Sequence, residues 1–144
     1  MRMDAIIMKS DWYRLEKCLL EDKPISLIRL FSNGTSPDLR DECGTTLLMH
    51  ACGTANLKFI FILASFGARI DLVNHGGESA LEYLCAYNDD DEVSRIIIFN
   101  ALMLRSKKNN NKEFLRNLET FAKARRLLAL SKVIRRRAAT APAA

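Results

Sequence analysis

This chain is short of the residues from which catalytic and disulfide frameworks are built. Only two histidines, His50 and His75, occur in 144 residues, and no spacing pairs either with a nucleophile, so general acid–base chemistry is not expected. The four cysteines, Cys18, Cys43, Cys52 and Cys85, show no C-x-x-C spacing, which argues for buried thiols in a reducing compartment over a disulfide or metal site. No apolar run reaches the roughly 18 residues of a membrane span. The only apolar run near the start, Ala5 to Met8, is too short for the core of a signal peptide. An intracellular location, cytoplasmic or nuclear, is the expectation. Asp89-Asp90-Asp91-Glu92 lacks the spaced ligands and twelfth-position Glu of a calcium loop. Its place just before Val93 suggests a helix N-terminal cap, with an acidic contact surface as the alternative. There is no phosphate-binding glycine loop, and neither enzymatic activity nor any cofactor or metal is expected.

What the chain does have is a period. Thirty-three positions separate Gly34 from Gly67, Asp38 from Asp71, Asp41 from Asn74 and Gly44 from Gly77, and repetition at this spacing implies a stack of similar units. Apolar residues share the spacing. Leu15, Cys18 and Leu19 correspond to Leu48, Ala51 and Cys52, and these to Leu81, Leu84 and Cys85. Leu27, Leu30 and Phe31 correspond to Ile60, Leu63 and Ala64, and the same register then selects Val93, Ile96 and Ile97. Thr46 and Ser79 stand two residues before Leu48 and Leu81, where a hydroxyl can cap the free N–H groups of a helix. Gly44 and Gly77 before them suit a tight turn with positive φ. Leu57, Ile60, Leu63 and Ala64 lie on one helical face, widened by Phe59, Phe61, Ile62 and Phe66, and Gly67 ends that helix. A single helix pair cannot bury such a face, so neighbouring copies must stack. Leu48, Leu63 and Leu81 are expected in the shared core. Helices are predicted over 12–23, 24–33, 46–54, 56–66, 79–87 and 91–105.

The stretch Gly44-Thr45-Thr46-Leu47-Leu48-Met49-His50-Ala51, followed by Ile60, Leu63, Gly67 and Ala68, resembles the ankyrin repeat, a turn followed by two antiparallel helices. Thr46, Leu48 and Ala51 match its T-P-L-H-x-A signature, with Leu47 and Met49 in place of Pro and His, and Gly77-Glu78-Ser79-Ala80-Leu81 keeps Gly, a hydroxyl residue and Leu. The resemblance covers roughly residues 9 to 105. It implies an all-α solenoid of stacked helix pairs with short turn tips, with copies at about 8–39, 40–72 and 73–105 in a domain spanning 1–106.

Charge divides the chain. Residues 1 to 106 hold 11 Lys and Arg against 15 Asp and Glu, whereas residues 107 to 144 hold 11 against 2. The polar run Lys107 to Lys112 reads as a loop. Beyond it, Phe114, Leu118, Phe121 and Ala122, then Leu127, Leu128, Leu130, Val133 and Ile134, have helical spacing. Residues 107–137 are therefore a basic helical segment: either a degenerate fourth copy capping Val93, Ile96 and Ile97, with Phe114 opposite Leu81 and Leu130 opposite Ile97, or an independent basic helix. Residues 138–144 are expected to be disordered. Arg125, Arg126, Lys132, Arg135, Arg136 and Arg137 form the densest charge cluster. It can be a solvated face, a nuclear-import signal, or a contact for nucleic acid, an anionic membrane or an acidic protein.

In ankyrin proteins the partner meets the turn tips and the first helices, which line a concave surface. That resemblance places candidate partner-binding residues at Arg40, Glu42, Cys43 and Thr45 in one tip, and at Asn74, His75, Gly76 and Glu78 in the next. Met49, His50, Glu82 and Tyr83 are added from the exposed sides of the first helices. The function it implies is non-catalytic: binding another protein, as a competitor that masks it or an adaptor. Small stand-alone members occur in viruses and intracellular bacteria, which implies host interference. The alternative is a nucleic-acid or anionic-membrane factor in which residues 107–137 are the active element.

Overall fold

The computed structural model describes residues 3–54, 56–87, 92–105 and 112–141. Among these residues the chain forms eight helices and no strand, apart from one isolated antiparallel bridge between Arg40 and Thr46. The helices are α1 (Met3–Leu20), α2 (Pro24–Ser32), α3 (Leu47–Gly53), α4 (Leu57–Ser65), α5 (Ala80–Tyr87), α6 (Glu92–Arg105), α7 (Lys112–Ala124) and α8 (Leu128–Thr140). Each odd-numbered helix pairs with the even-numbered helix that follows it. The odd helices stack on one another in chain order, and so do the even ones, giving two columns of four.

The breaks follow from local chemistry. α1 starts at Met3, well before the expected residue 12, because no glycine or proline interrupts the run to Leu20. It stops where Asp22 takes a positive φ of 52° and Pro24 opens α2 with its fixed φ. Thr46 caps α3, its hydroxyl accepting the Met49 N–H at 3.2 Å. Asn56 caps α4 by accepting the Phe59 N–H at 3.3 Å.

Leu15, Leu48 and Leu81, one period apart, are buried at the centre of the first column, and Leu27, Ile60 and Leu63 in the second. Each such side chain contributes about 1.5–3 kcal/mol on burial. The period then fails in α6. Val93 and Ile97, expected in the core, are 63% and 48% exposed. Ile98, Phe99 and Leu102 take their places, thirty-nine positions after Phe59, Ile60 and Leu63. The six additional residues enter between α5 and the buried part of α6, so α6 runs to 14 residues against 9 in α4 and carries an extra N-terminal turn.

That turn acts at a distance. Glu92 was expected to cap the helix it begins, but its carboxylate accepts the N–H groups of Ala129 and Leu130 at 2.8 and 3.0 Å and so caps α8. Leu127, at the N-cap position of α8, offers no side-chain cap of its own. Buried Arg95, one turn further along, donates from Nε to the Leu84 carbonyl at 3.2 Å. Asp89, Asp90 and Asp91 lie outside the described residues, as does the loop expected over 107–112 except for Lys112, which instead opens α7.

α7 and α8 form a fourth pair packed on α5 and α6. Leu115, Leu118, Leu127, Leu130 and Ile134 are buried there, whereas Leu128 is 61% exposed. Leu115 and Leu118, thirty-four positions after Leu81 and Leu84, carry the first-column contact, with Phe114 only partly buried. Leu130 and Ile134 follow Ile98 and Leu102 by thirty-two. Order also extends past residue 137: the helix continues to Thr140, since Ala138 and Ala141 are small enough to be buried in the same core.

Candidate partner-binding face

The two described turn tips between helix pairs are built alike. Asp41 Oδ1 accepts the N–H groups of Cys43 and Thr45 at 2.8 and 2.9 Å, and Asp41 N–H donates to the Thr45 carbonyl at 3.0 Å. One period on, Asn74 Oδ1 accepts from Gly76 and Glu78 at 3.0 and 2.9 Å, and Asn74 N–H donates to the Glu78 carbonyl at 3.0 Å. Either residue type can supply this side-chain oxygen, which is why Asp and Asn alternate at the position. The tips are joined, because His75 N–H donates to the Cys43 carbonyl at 2.9 Å. Gly44 sits at that junction with φ +77°, and a Cβ there would lie 3.0 Å from the His75 ring. A second tie runs from the Arg69 N–H to Asp38 Oδ1 at 2.8 Å, while the Arg69 side chain grips Asp71 at 3.0 and 2.7 Å.

These bonds sort the candidate residues. Arg40, Glu42, Cys43, His75 and Gly76 are exposed. Thr45 is buried instead, its N–H held by Asp41. Met49 is only 1% exposed, because its thioether turns back to accept the Thr46 N–H at 3.4 Å. Neither is available at the surface. Glu82 is occupied as a cap, accepting the Ser79 N–H and hydroxyl at 3.2 and 3.1 Å. The Tyr83 hydroxyl accepts from Asn74 Nδ2 at 2.9 Å, so Asn74 and Tyr83 brace the tip. Glu78 is half-buried beside them.

The structure also brings in residues that the repeat pattern did not select. The first helix of copy one was expected from residue 12, yet α1 starts nine residues earlier and runs alongside the first tip. A groove of about 610 Å³ opens between them, lined by Lys9, Trp12, Tyr13 and residues 40–43. Trp12 stacks on half-buried His50 with ring centroids 5.9 Å apart and a 43° tilt. His50 Nε2 is buried without a hydrogen bond, 3.6 Å from Asp41 Oδ2. Lys9 and Glu42 approach to 3.8 Å. The one signal in the sequence was that Trp12 is the sole tryptophan.

Three thiols are core groups. Burial pushes Cys85 up to about 12 and raises Cys18 and, further, Cys52, so none is a thiolate near neutral pH. Cys43 was expected to be buried with them but is exposed, because it occupies a tip. In the basic segment, Arg125 lies over the Phe121 ring at 5.0 Å, Arg135 pairs with Glu119 at 3.2 Å, and Arg126 takes a positive φ of 61° at the α7–α8 turn. Lys132 and Arg136 are exposed and Arg137 half-buried. Among the described residues no group of His, Cys, Asp or Glu could hold a metal ion, and no helix is long and apolar enough to cross a membrane.

The model of ankyrin repeats (3 copies) matches residues 17–113. This chain belongs to the ankyrin-repeat family. Ankyrin repeats are units of protein–protein interaction, and the face just described is the one that family resemblance points to. The match ends at the second residue of α7, so the fourth helix pair of this ankyrin protein continues the stack beyond it. Among curated proteins nothing matches the chain.

Proposed function

We propose that this ankyrin protein is a non-catalytic intracellular module that binds one partner protein through its turn tips and first helices, masking or adapting it. The observation that carries this reading is the pair of braced, mutually bonded tips, which hold Arg40, Glu42, Cys43 and His75 exposed beside the Trp12–Tyr13 groove. A preformed backbone loses little freedom on association, and exposed aromatic and Arg side chains at its centre are the types that anchor interfaces.

Affinity capture from a cell lysate with the whole chain, read by mass spectrometry, tests the assignment. Tyr13→Ala, Arg40→Glu and His75→Glu should each reduce capture of the same partner, while Arg135→Gln and Arg136→Gln leave it intact. If instead the arginine variants lose the partner, the tip variants keep it and binding falls steeply with salt, residues 107–137 are the active element.

A further inference from the structure

The arginines of α8 are not equivalent. Arg135 is ion-paired with Glu119, a carboxylate that Lys123 also approaches. The Arg136 side chain has no ion pair or hydrogen bond among the described residues, and Arg137 Nε is buried without an acceptor among them. Both line a groove of about 520 Å³ between α6 and α8, shared with Asn100, Val133 and Thr140, and among the described residues no carboxylate lines it. A buried donor of a cationic group without an acceptor is uncommon and calls for a counter-group. Attraction of the last-turn arginine to its own helix terminus accounts for part of the placement. It supplies no counter-charge for Arg136, and an anion in the groove meets the open part of the Arg137 side chain, not its solvent-inaccessible Nε.

We infer that the Asn100–Arg136–Arg137 groove is a binding site for a phosphate monoester group. Two uncompensated guanidinium charges match an anion carrying about −1.5 to −2 at neutral pH, and their fork geometry suits its several oxygens. The exposed Asn100 amide adds a donor from the facing helix. The Thr140 hydroxyl does not, since it already donates to the Arg137 carbonyl at 3.1 Å. The site is on the second-helix column, on different elements from the turn tips, and stands independently of the partner-binding assignment.

The test is an NMR titration of the whole chain with inorganic phosphate and with a phosphoserine peptide, following the amides of Asn100, Arg136 and Arg137. A parallel flotation assay uses phosphatidylcholine vesicles with and without a phosphatidylinositol monophosphate. Saturable shifts at these amides identify a soluble source; flotation that depends on the phosphorylated lipid identifies a membrane source. In whichever arm binds, Arg136→Gln and Arg137→Gln should each weaken affinity by about tenfold, as loss of a charge-assisted pair does. Arg135→Gln should leave it within about twofold, its charge being already paired. Asn100→Asp keeps both arginines and the fold, checked by circular dichroism, and should abolish binding by placing a carboxylate in the groove. Affinity should also fall from pH 7 to pH 5, because a phosphate monoester loses charge below its second pKa of about 6 while arginine does not titrate. No saturable binding in either arm, equal losses for Arg135→Gln and Arg137→Gln, or wild-type binding by Asn100→Asp would each overturn the assignment.

Discussion

The second helix pair and the last two pairs solve the same problem by different means. In α3–α4 every helix start is satisfied from within: Thr46 caps α3, Asn56 caps α4, and Asp41 closes the turn before them. At the start of α8 the equivalent groups are met from afar. Glu92 caps α8 across 37 and 38 residues, and Arg95 reaches the end of α5 across 11. The second pair is thus capped from within, whereas α8 is capped from the third pair, although every pair shares its apolar core with its neighbours.

The sharpest way to break this contrast is truncation. Deleting residues 107–144 removes α7 and α8 and uncovers the buried faces of α5 and α6, including Ile98 and Leu102; aggregation or a clearly lower melting temperature should follow. A soluble deletion with an unchanged melting curve would show that the fourth pair is not needed by the third. Single core truncations come next. Leu63→Ala and Ile134→Ala, each fully buried, should cost on the order of 2–5 kcal/mol in denaturant unfolding. If the C-terminal pairs are the weaker part, hydrogen exchange should rise first in α8 for Ile134→Ala, but throughout the stack for Leu63→Ala.

Gly44→Ala tests the junction between tips. Positive φ alone costs a non-glycine residue about 1–2 kcal/mol, and contact with His75 adds to it. The His75→Ala background should relieve that added part, giving a favourable coupling in a double-mutant cycle; His75→Ala alone should change stability by no more than about 0.5 kcal/mol. The caps matter less than the strained glycine. Thr46→Ala and Glu92→Ala should each cost about 1 kcal/mol, measured by chemical denaturation. Their kinetics of amide exchange should differ: Thr46→Ala frays α3, while Glu92→Ala frays α8 and spares α6, which it begins. Fraying of α6 by Glu92→Ala would contradict the cross-helix cap.

Much of this was legible beforehand because it is local. The Thr46 hydroxyl before α3 and the positive φ at Gly44 act within a turn or so of themselves, and the thirty-three-residue spacing of Leu15, Leu48 and Leu81 repeats one local helical pattern. Thr45 and Met49 were misplaced on the surface because repeat position does not say which way a flexible thioether turns. Val93 and Ile97 were misplaced in the core because a period extrapolated through an insertion keeps its count but loses its face, and six residues rotate a helix by well over a full turn.

By itself, then, the chain determined its family, its helical columns and its first-half core, since those follow from period, propensity and caps that reach only a few residues. The tertiary structure alone decided that Glu92 belongs to α8, that Trp12 and Tyr13 form a groove with the first tip, and that Arg136 and Arg137 differ from Arg135. Each of those depends on which residues distant in sequence are brought within a few ångströms, and hydrogen bonds and ion pairs have no range beyond that.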